Sequence, residues 1–262
     1  MPIRVLSEDV ASAIAAGEVV ERPESVVKEL VENAIDASAK RIEINIEGGG
    51  RRLIEVADDG CGIRADEVPL AVAHHATSKL STKDDLFQIE TLGFRGEALT
   101  SIGAVSRMEI LTRSTKEEVG TKLTVTGGHI DEPVPIGAPS GTVVRIRDLF
   151  FNMPARLKFL KSETTERRRI STLISRYAIA YPQIAFKLVQ EGREGLSTTG
   201  SGNRTEVLAA VFGLDTAKSM ICLPEGGDGK IQVNGYISPP SVHRSNRREI
   251  TFFVRGRWIQ DP

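Results

Sequence analysis

Cysteine is nearly absent from this chain: Cys61 and Cys222 are the only two in 262 residues. Two thiols so far apart make neither a disulfide framework nor a zinc site, and they suit a reducing cytosol. No apolar run approaches the roughly 18 residues a membrane span needs. The start, "MPIRVLSEDV", lacks the basic-then-apolar pattern of a secretory leader, so a cytoplasmic protein with no membrane partner is expected. Charge of one sign is not in excess either: the net is −1. Any polyanion must then be met by local patches. There is no G-x-x-x-x-G-K-[ST] phosphate loop, no H-E-x-x-H and no G-x-S-x-G. "DDGCG" lacks the alternating acids and distal Glu of a calcium loop.

What is present is an ordinary globular mixture, 40% hydrophobic and 26% charged, long enough for one large domain or two smaller ones. "KELVENAIDAS", Lys28 to Ser38, reads as an amphipathic helix opened by Pro23. At about 100° per residue, Val26, Val27, Leu30, Val31, Ala34 and Ile35 share one half, and Glu29, Asn33 and Asp36 cluster on the other. A carboxylate and a carboxamide at i, i+4 can point at one small object such as a water or a metal ion; the same residues can also simply face solvent.

Alternating strand patterns follow at 41–46 and 53–57, around three glycines, then a helical stretch at 65–74. Further strands are expected at 107–112, 121–126, near Ile130, 142–147, 185–190 and 195–198. Helices are expected at 163–180 and 205–212. Hairpin-paired strands with helices on one face indicate α+β: a two-layer sandwich of helices on a mixed, mostly antiparallel sheet. After Gly213 the patterning changes, so we expect one domain over 1–214 and the beginning of a second, smaller one over 215–262.

Four short motifs could carry chemistry, although each alone also reads as a turn or loop. In "ADDGCGI", Asp58 at a strand end offers a carboxylate to an exocyclic amine such as adenine's. Gly60 and Gly62 there leave room for a flat ring. "HHATSKL" supplies small polar donors and one lysine. "GFRGEAL" puts two glycines ahead of a helix start, where backbone N–H groups cradle phosphates. "SGTVVRIRDLFFNMPARLKFLKS" opens a strand at Gly141–Thr142 and ends in a basic segment with Arg156, Lys158 and Lys161.

Their joint order is more telling. E-x-x-x-N on a helix, D-x-G-x-G after a strand, G-F-R-G-E-A-L, then G-T opening a strand resembles the ATPase superfamily of DNA gyrase, histidine kinases, a large heat-shock chaperone and MutL. "AAGEVVERPESVVKELVENAIDA", "HATSK", "GFRGEAL", "DLFFNMPARLKFLK" and "FVRGR" are similar, within it, to the MutL family of DNA mismatch repair proteins across essentially the whole chain.

The resemblance implies a Bergerat-type ATP fold and slow, Mg²⁺-dependent ATP hydrolysis, followed by a ribosomal-protein-like second domain. It assigns Glu29 as general base, Asn33 as Mg²⁺ ligand and Asp58 as partner of the adenine amine, supported by Thr142 and Gly62. It gives the phosphate lid to Thr77, Ser78 and Lys79 with Gly93, Phe94, Arg95, Gly96, Glu97, Ala98 and Leu99. DNA contacts fall to Arg156, Lys158, Lys161 and Arg257. Asp36 is left to hold neighbouring backbone. Implied partners are DNA, a MutS-type mismatch sensor, a downstream nuclease or helicase, and a second copy once ATP is bound.

Three positions depart from the family pattern. Asp59 stands where D-N-G is usual, Arg255 replaces the Asn of "FVNGR", and a γ-phosphate lysine of the second domain is expected beyond Pro262. That last point keeps a second reading open, a nucleotide-dependent clamp without turnover. A third is another ATPase of the superfamily, such as a topoisomerase subunit. Nothing resembles a C-terminal endonuclease domain.

Overall fold

The computed structural model describes residues 16–17, 19–73, 76, 91–93, 96–227, 229, 231–243, 245 and 249–259. Thr77, Ser78, Lys79, Phe94 and Arg95 lie outside them, as does most of the leading helix that Ser7 as N-cap, with Glu8 and Asp9 in its first turn, leads one to expect up to Gly17.

Helix α1 (Pro23–Asp36) starts on Pro23 and ends in a Schellman turn: Ser38, at φ 61°, donates to the Ile35 carbonyl and Ala39 to that of Ala34. Its apolar half is buried as the spacing predicts, with Val26, Val27 and Val31 fully enclosed. Hairpin strands β1 (Arg41–Glu47) and β2 (Leu53–Asp58) follow, then a single helical turn, α2 (Val68–Ala71). That turn is shorter than the stretch expected at 65–74, since Pro69 can occupy only its first turn.

Helix α3 (Ala98–Ala104) precedes β3 (Arg107–Arg113), β4 (Gly120–Thr126), β5 (His129–Ile130), β6 (Val134–Ile136) and β7 (Gly141–Arg147). Then come α4 (Pro154–Phe159), α5 (Glu163–Ala180), β8 (Ala185–Gln190), β9 (Arg193–Ser197), α6 (Arg204–Phe212) and α7 (Leu214–Ser219). Ser162 caps α5 by accepting from the Thr165 amide.

The main sheet runs β5-β4-β3-β7-β2-β1-β8-β9, with β6 also on β4. Every pairing is antiparallel except β1 with β8. One face carries the core, where Ile42, Ile44, Ile46, Ile54, Ile110, Ile146 and Phe186 meet α1, α3 and α5. The other face is polar: Lys122, Glu109, Arg145 and Glu55 form a continuous row of ion pairs across β4, β3, β7 and β2. This is the expected sandwich.

The chain continues into two hairpins, β10 (Ile221–Gly227) with β11 (Gln232–Ile237), and β12 (Phe252–Val254) with β13 (Arg257–Ile259). Trp258 of β13 lies under Arg176 of α5, 3.7 Å from guanidinium carbon to ring centre, so this last hairpin packs on the first unit.

Candidate active site

Strand register brings three strand ends together. Asp58 closes β2 opposite Thr142 at the start of β7, and Thr142 faces Thr112 near the end of β3. Asp58 Oδ1 accepts from the Gly60 amide at 2.8 Å. Burial raises its pKa from the ordinary carboxyl value to about 6; the Gly60 amide pulls it down, Asp59 pushes it up and the Thr142 amide pulls it down again. Above that pH it is an acceptor, the form an adenine amine requires.

Thr112 is a site residue that sequence reasoning missed. It is 1% exposed. Its hydroxyl accepts from the Ile63 amide at 2.9 Å and lies 3.0 Å from both the Gly141 carbonyl and the Thr142 hydroxyl. A buried threonine at a strand end was the available signal, and alternation alone does not separate it from other strand threonines.

Gly62 and Gly141 need their positive φ angles, 67° and 111°. A Cβ on Gly62 would run into the Arg113 carbonyl, and one on Gly141 into that of Asp58. Gly62 therefore makes room first for β3, so the close approach expected of it is to backbone.

The loop after β2 is stapled to the end of α1. The Cys61 amide donates to the Ala37 carbonyl at 3.0 Å, and Asp59 Oδ1 accepts from the Lys40 and Arg41 amides at 2.7 and 2.8 Å. An asparagine oxygen could accept both, so the departure at Asp59 keeps the local structure and adds a charge beside Asp58.

Helix α1 presents Glu29, Asn33 and Asp36, all half-buried. Glu29 meets Lys28 Nζ at 3.1 Å. Asp36 holds backbone, as expected: its two oxygens accept from the Leu92 and Gly93 amides at 2.9 and 3.1 Å. Gly93 is thus tied to α1. Gly96, at φ 64°, and Glu97 lead into α3, where Leu99 packs on the core.

The residues expected to meet DNA are not gathered at this place. Lys158 and Lys161 are exposed near α4. Arg156 turns inward, donating to the Val20 carbonyl at 3.4 Å with its guanidinium 5.9 Å from the Phe150 ring centre. Arg257 is half-buried, and its Nη2 donates to the Thr91 carbonyl at 2.5 Å, two residues before Gly93.

Residues 20–136 match the family of histidine kinase-, DNA gyrase B- and HSP90-like ATPases, and residues 208–262 the DNA mismatch repair protein C-terminal domain family. The MutL ATPase domain of Aquifex aeolicus, solved with ADP, is 35% identical at a TM-score of 0.71, over 93% of this chain and 85% of that one. The chain belongs to the MutL family. MutL of Lactococcus lactis is 50% identical over 98% of this chain and 39% of its own length; MutL of Streptococcus pneumoniae is 47% identical over the same shares. The chain thus spans about two fifths of the curated MutL relatives it matches. The N-terminal domain of a further DNA repair protein overlays at a TM-score of 0.80 and 27% identity, covering 96% of this chain and 78% of that one. Helices on a mixed sheet, followed by a smaller unit, are the architecture of the MutL ATPase domain. Among the described residues no helix is long and apolar enough to cross a membrane.

Proposed function

We propose that the chain binds and slowly hydrolyses ATP as the nucleotide switch of a mismatch repair protein. The observation that carries this reading is the joining of α1 to the strand ends. Glu29 and Asn33 share one face of a helix whose C-terminus is bonded to the loop that follows Asp58.

In this reading Asp58 accepts from the adenine amine, with Thr142 steadied by Thr112 beside it and Gly62 shaping the turn. Glu29 orients the attacking water and takes its proton. The 77–79 segment, with Gly93, Phe94, Arg95, Gly96, Glu97, Ala98 and Leu99, closes over the phosphates. Among the described residues no three His, Cys, Asp or Glu side chains group to hold an ion by themselves. A lone Asn33 oxygen that relies on phosphate oxygens and water fits Mg²⁺, which takes few protein ligands. Bound there, Mg²⁺ would neutralise phosphate charge as the β–γ bond breaks.

The domain division at 214/215 goes with this reading: the nucleotide unit precedes it and the beginning of the second unit follows. Ordering of the lid by the γ-phosphate would let two copies join around DNA, and hydrolysis would part them. Lys158 and Lys161 are the exposed cations for phosphate contacts, with Arg156 and Arg257 beside them only if they leave their present acceptors. A MutS-type sensor, a downstream nuclease or helicase, and action in the cytoplasm at the nucleoid complete the proposal.

Glu29→Gln should bind ATP with parent affinity while turnover falls roughly 10²- to 10⁴-fold, the usual worth of a general base. Calorimetry and phosphate release measured together test this. Unchanged turnover would remove Glu29 from the base role. If the parent itself binds without releasing phosphate, the chain is a clamp instead.

A further inference from the structure

Lys28 lies next to Glu29 in sequence, about 100° away around α1, so helical geometry does not bring the two side chains together. They nonetheless meet at 3.1 Å. What turns Lys28 is Glu32, one turn on, whose Oε2 accepts from the same Nζ at 2.9 Å. Glu32 is a buried carboxylate, its side chain only 10% exposed, on the polar side of α1 where α5 covers it. Its second oxygen accepts from the Tyr177 hydroxyl of α5 at 2.6 Å. Burial and then Glu32 push the Tyr177 hydroxyl far above its ordinary value, so it remains a donor.

We propose that Tyr177, Glu32 and Lys28 form a positioning relay that holds one oxygen of Glu29 and so aims the other at the attacking water. The relay rests on Glu29 being the base.

The charges explain why the chain needs more than a lysine. A lone ammonium beside Glu29 would fix its direction but make it a weaker base. Glu32 sets an opposite charge on the same ammonium, which is thus held between two carboxylates. Tyr177 in turn gives the buried Glu32 its second partner, without which its burial is costly. The anchor is thus α5, packed on α1. Among the described residues the ionisable groups of this cluster facing Glu29 are Lys28 and Glu32 from α1 and Tyr177 from α5, with Tyr181 beyond Tyr177.

The test is ATP turnover in the full-length protein carrying Lys28→Met, Lys28→Arg, Glu32→Gln, Tyr177→Phe or Glu29→Gln, with melting temperatures recorded beside it. The expected result is a fall in kcat of roughly ten-fold for Lys28→Met and Tyr177→Phe at unchanged KM for ATP. Lys28→Arg should restore most of it. The acidic limb of the kcat profile should move to higher pH in Lys28→Met, which loses a cation. It should move to lower pH in Glu32→Gln, which loses the offsetting anion. A pairing that only joins two helices would lower melting temperature and leave both limbs in place. Parent-like turnover in Glu29→Gln overturns the base assignment and the relay with it. Loss of turnover in Glu29→Gln, with parent-like kcat and unmoved limbs in Lys28→Met and Glu32→Gln, overturns the relay alone.

Discussion

To receive an amine as proposed, Asp58 would have to be ionised, yet it sits where burial penalises its charge and raises its pKa to about 6. Nucleotide affinity should therefore fall as pH is lowered through about 6, well above the range in which an ordinary carboxylate titrates. Asp59 is among the causes, and its carboxylate is replaceable as an acceptor for the Lys40 and Arg41 amides. Asp59→Asn should keep ATP binding at pH 7.5 and move the acid limit of affinity downward, because one negative charge beside Asp58 is gone. Asp58→Ala should abolish binding at every pH. Calorimetric titrations at pH 5.5, 6.5 and 7.5 check both; an unmoved limit in Asp59→Asn would take Asp59 out of the electrostatics.

The segment from Thr91 to Gly93 is gripped from two elements. Asp36 at the end of α1 takes the Leu92 and Gly93 amides, and Arg257 of β13 takes the Thr91 carbonyl. A hydrogen bond to a charged group is worth about 1.5–3 kcal/mol. Asp36→Ala should then speed amide exchange at Leu92 and Gly93 at least roughly ten-fold and weaken ATP binding, with little effect on the β3 and β7 amides. Exchange mass spectrometry reads this directly, and equal acceleration across the sheet would mean global loosening instead.

Much at this scale was legible in the sequence. The bounds of α5 and β8 match their patterns, because an N-cap and strict alternation are local signals. The edge strand β6 and the six-residue α4 were missed, since neither is long enough to repeat its period twice. The parallel pairing of β1 with β8, about 140 residues on, leaves no local trace. Nor does the partner of Glu32 on α5: a glutamate four residues after a lysine is visible, but which helix supplies the hydroxyl is decided only by packing.

Across the whole molecule, charges nearly cancel, so the proposed attraction to DNA would be local and sensitive to salt. Composition could not tell which cations of the basic segments are available, because the three at 156–161 look alike as residue types. Their surroundings separate them. Lys158 and Lys161 are exposed, whereas Arg156 is committed to the Val20 carbonyl and to Phe150. Arg156→Ala should lower the melting temperature, through the lost donor to the Val20 carbonyl and the lost packing of its stem. Lys158→Ala and Lys161→Ala should leave melting unchanged, and each should reduce the slope of log affinity against log salt by about 1. Fluorescence anisotropy on duplex DNA from 50 to 200 mM salt (the range where phosphate contacts dominate) measures that slope. If Arg156→Ala lowers the slope with no change in melting, its guanidinium leaves Val20 to meet phosphate, and the inward contact belongs to the DNA-free state alone.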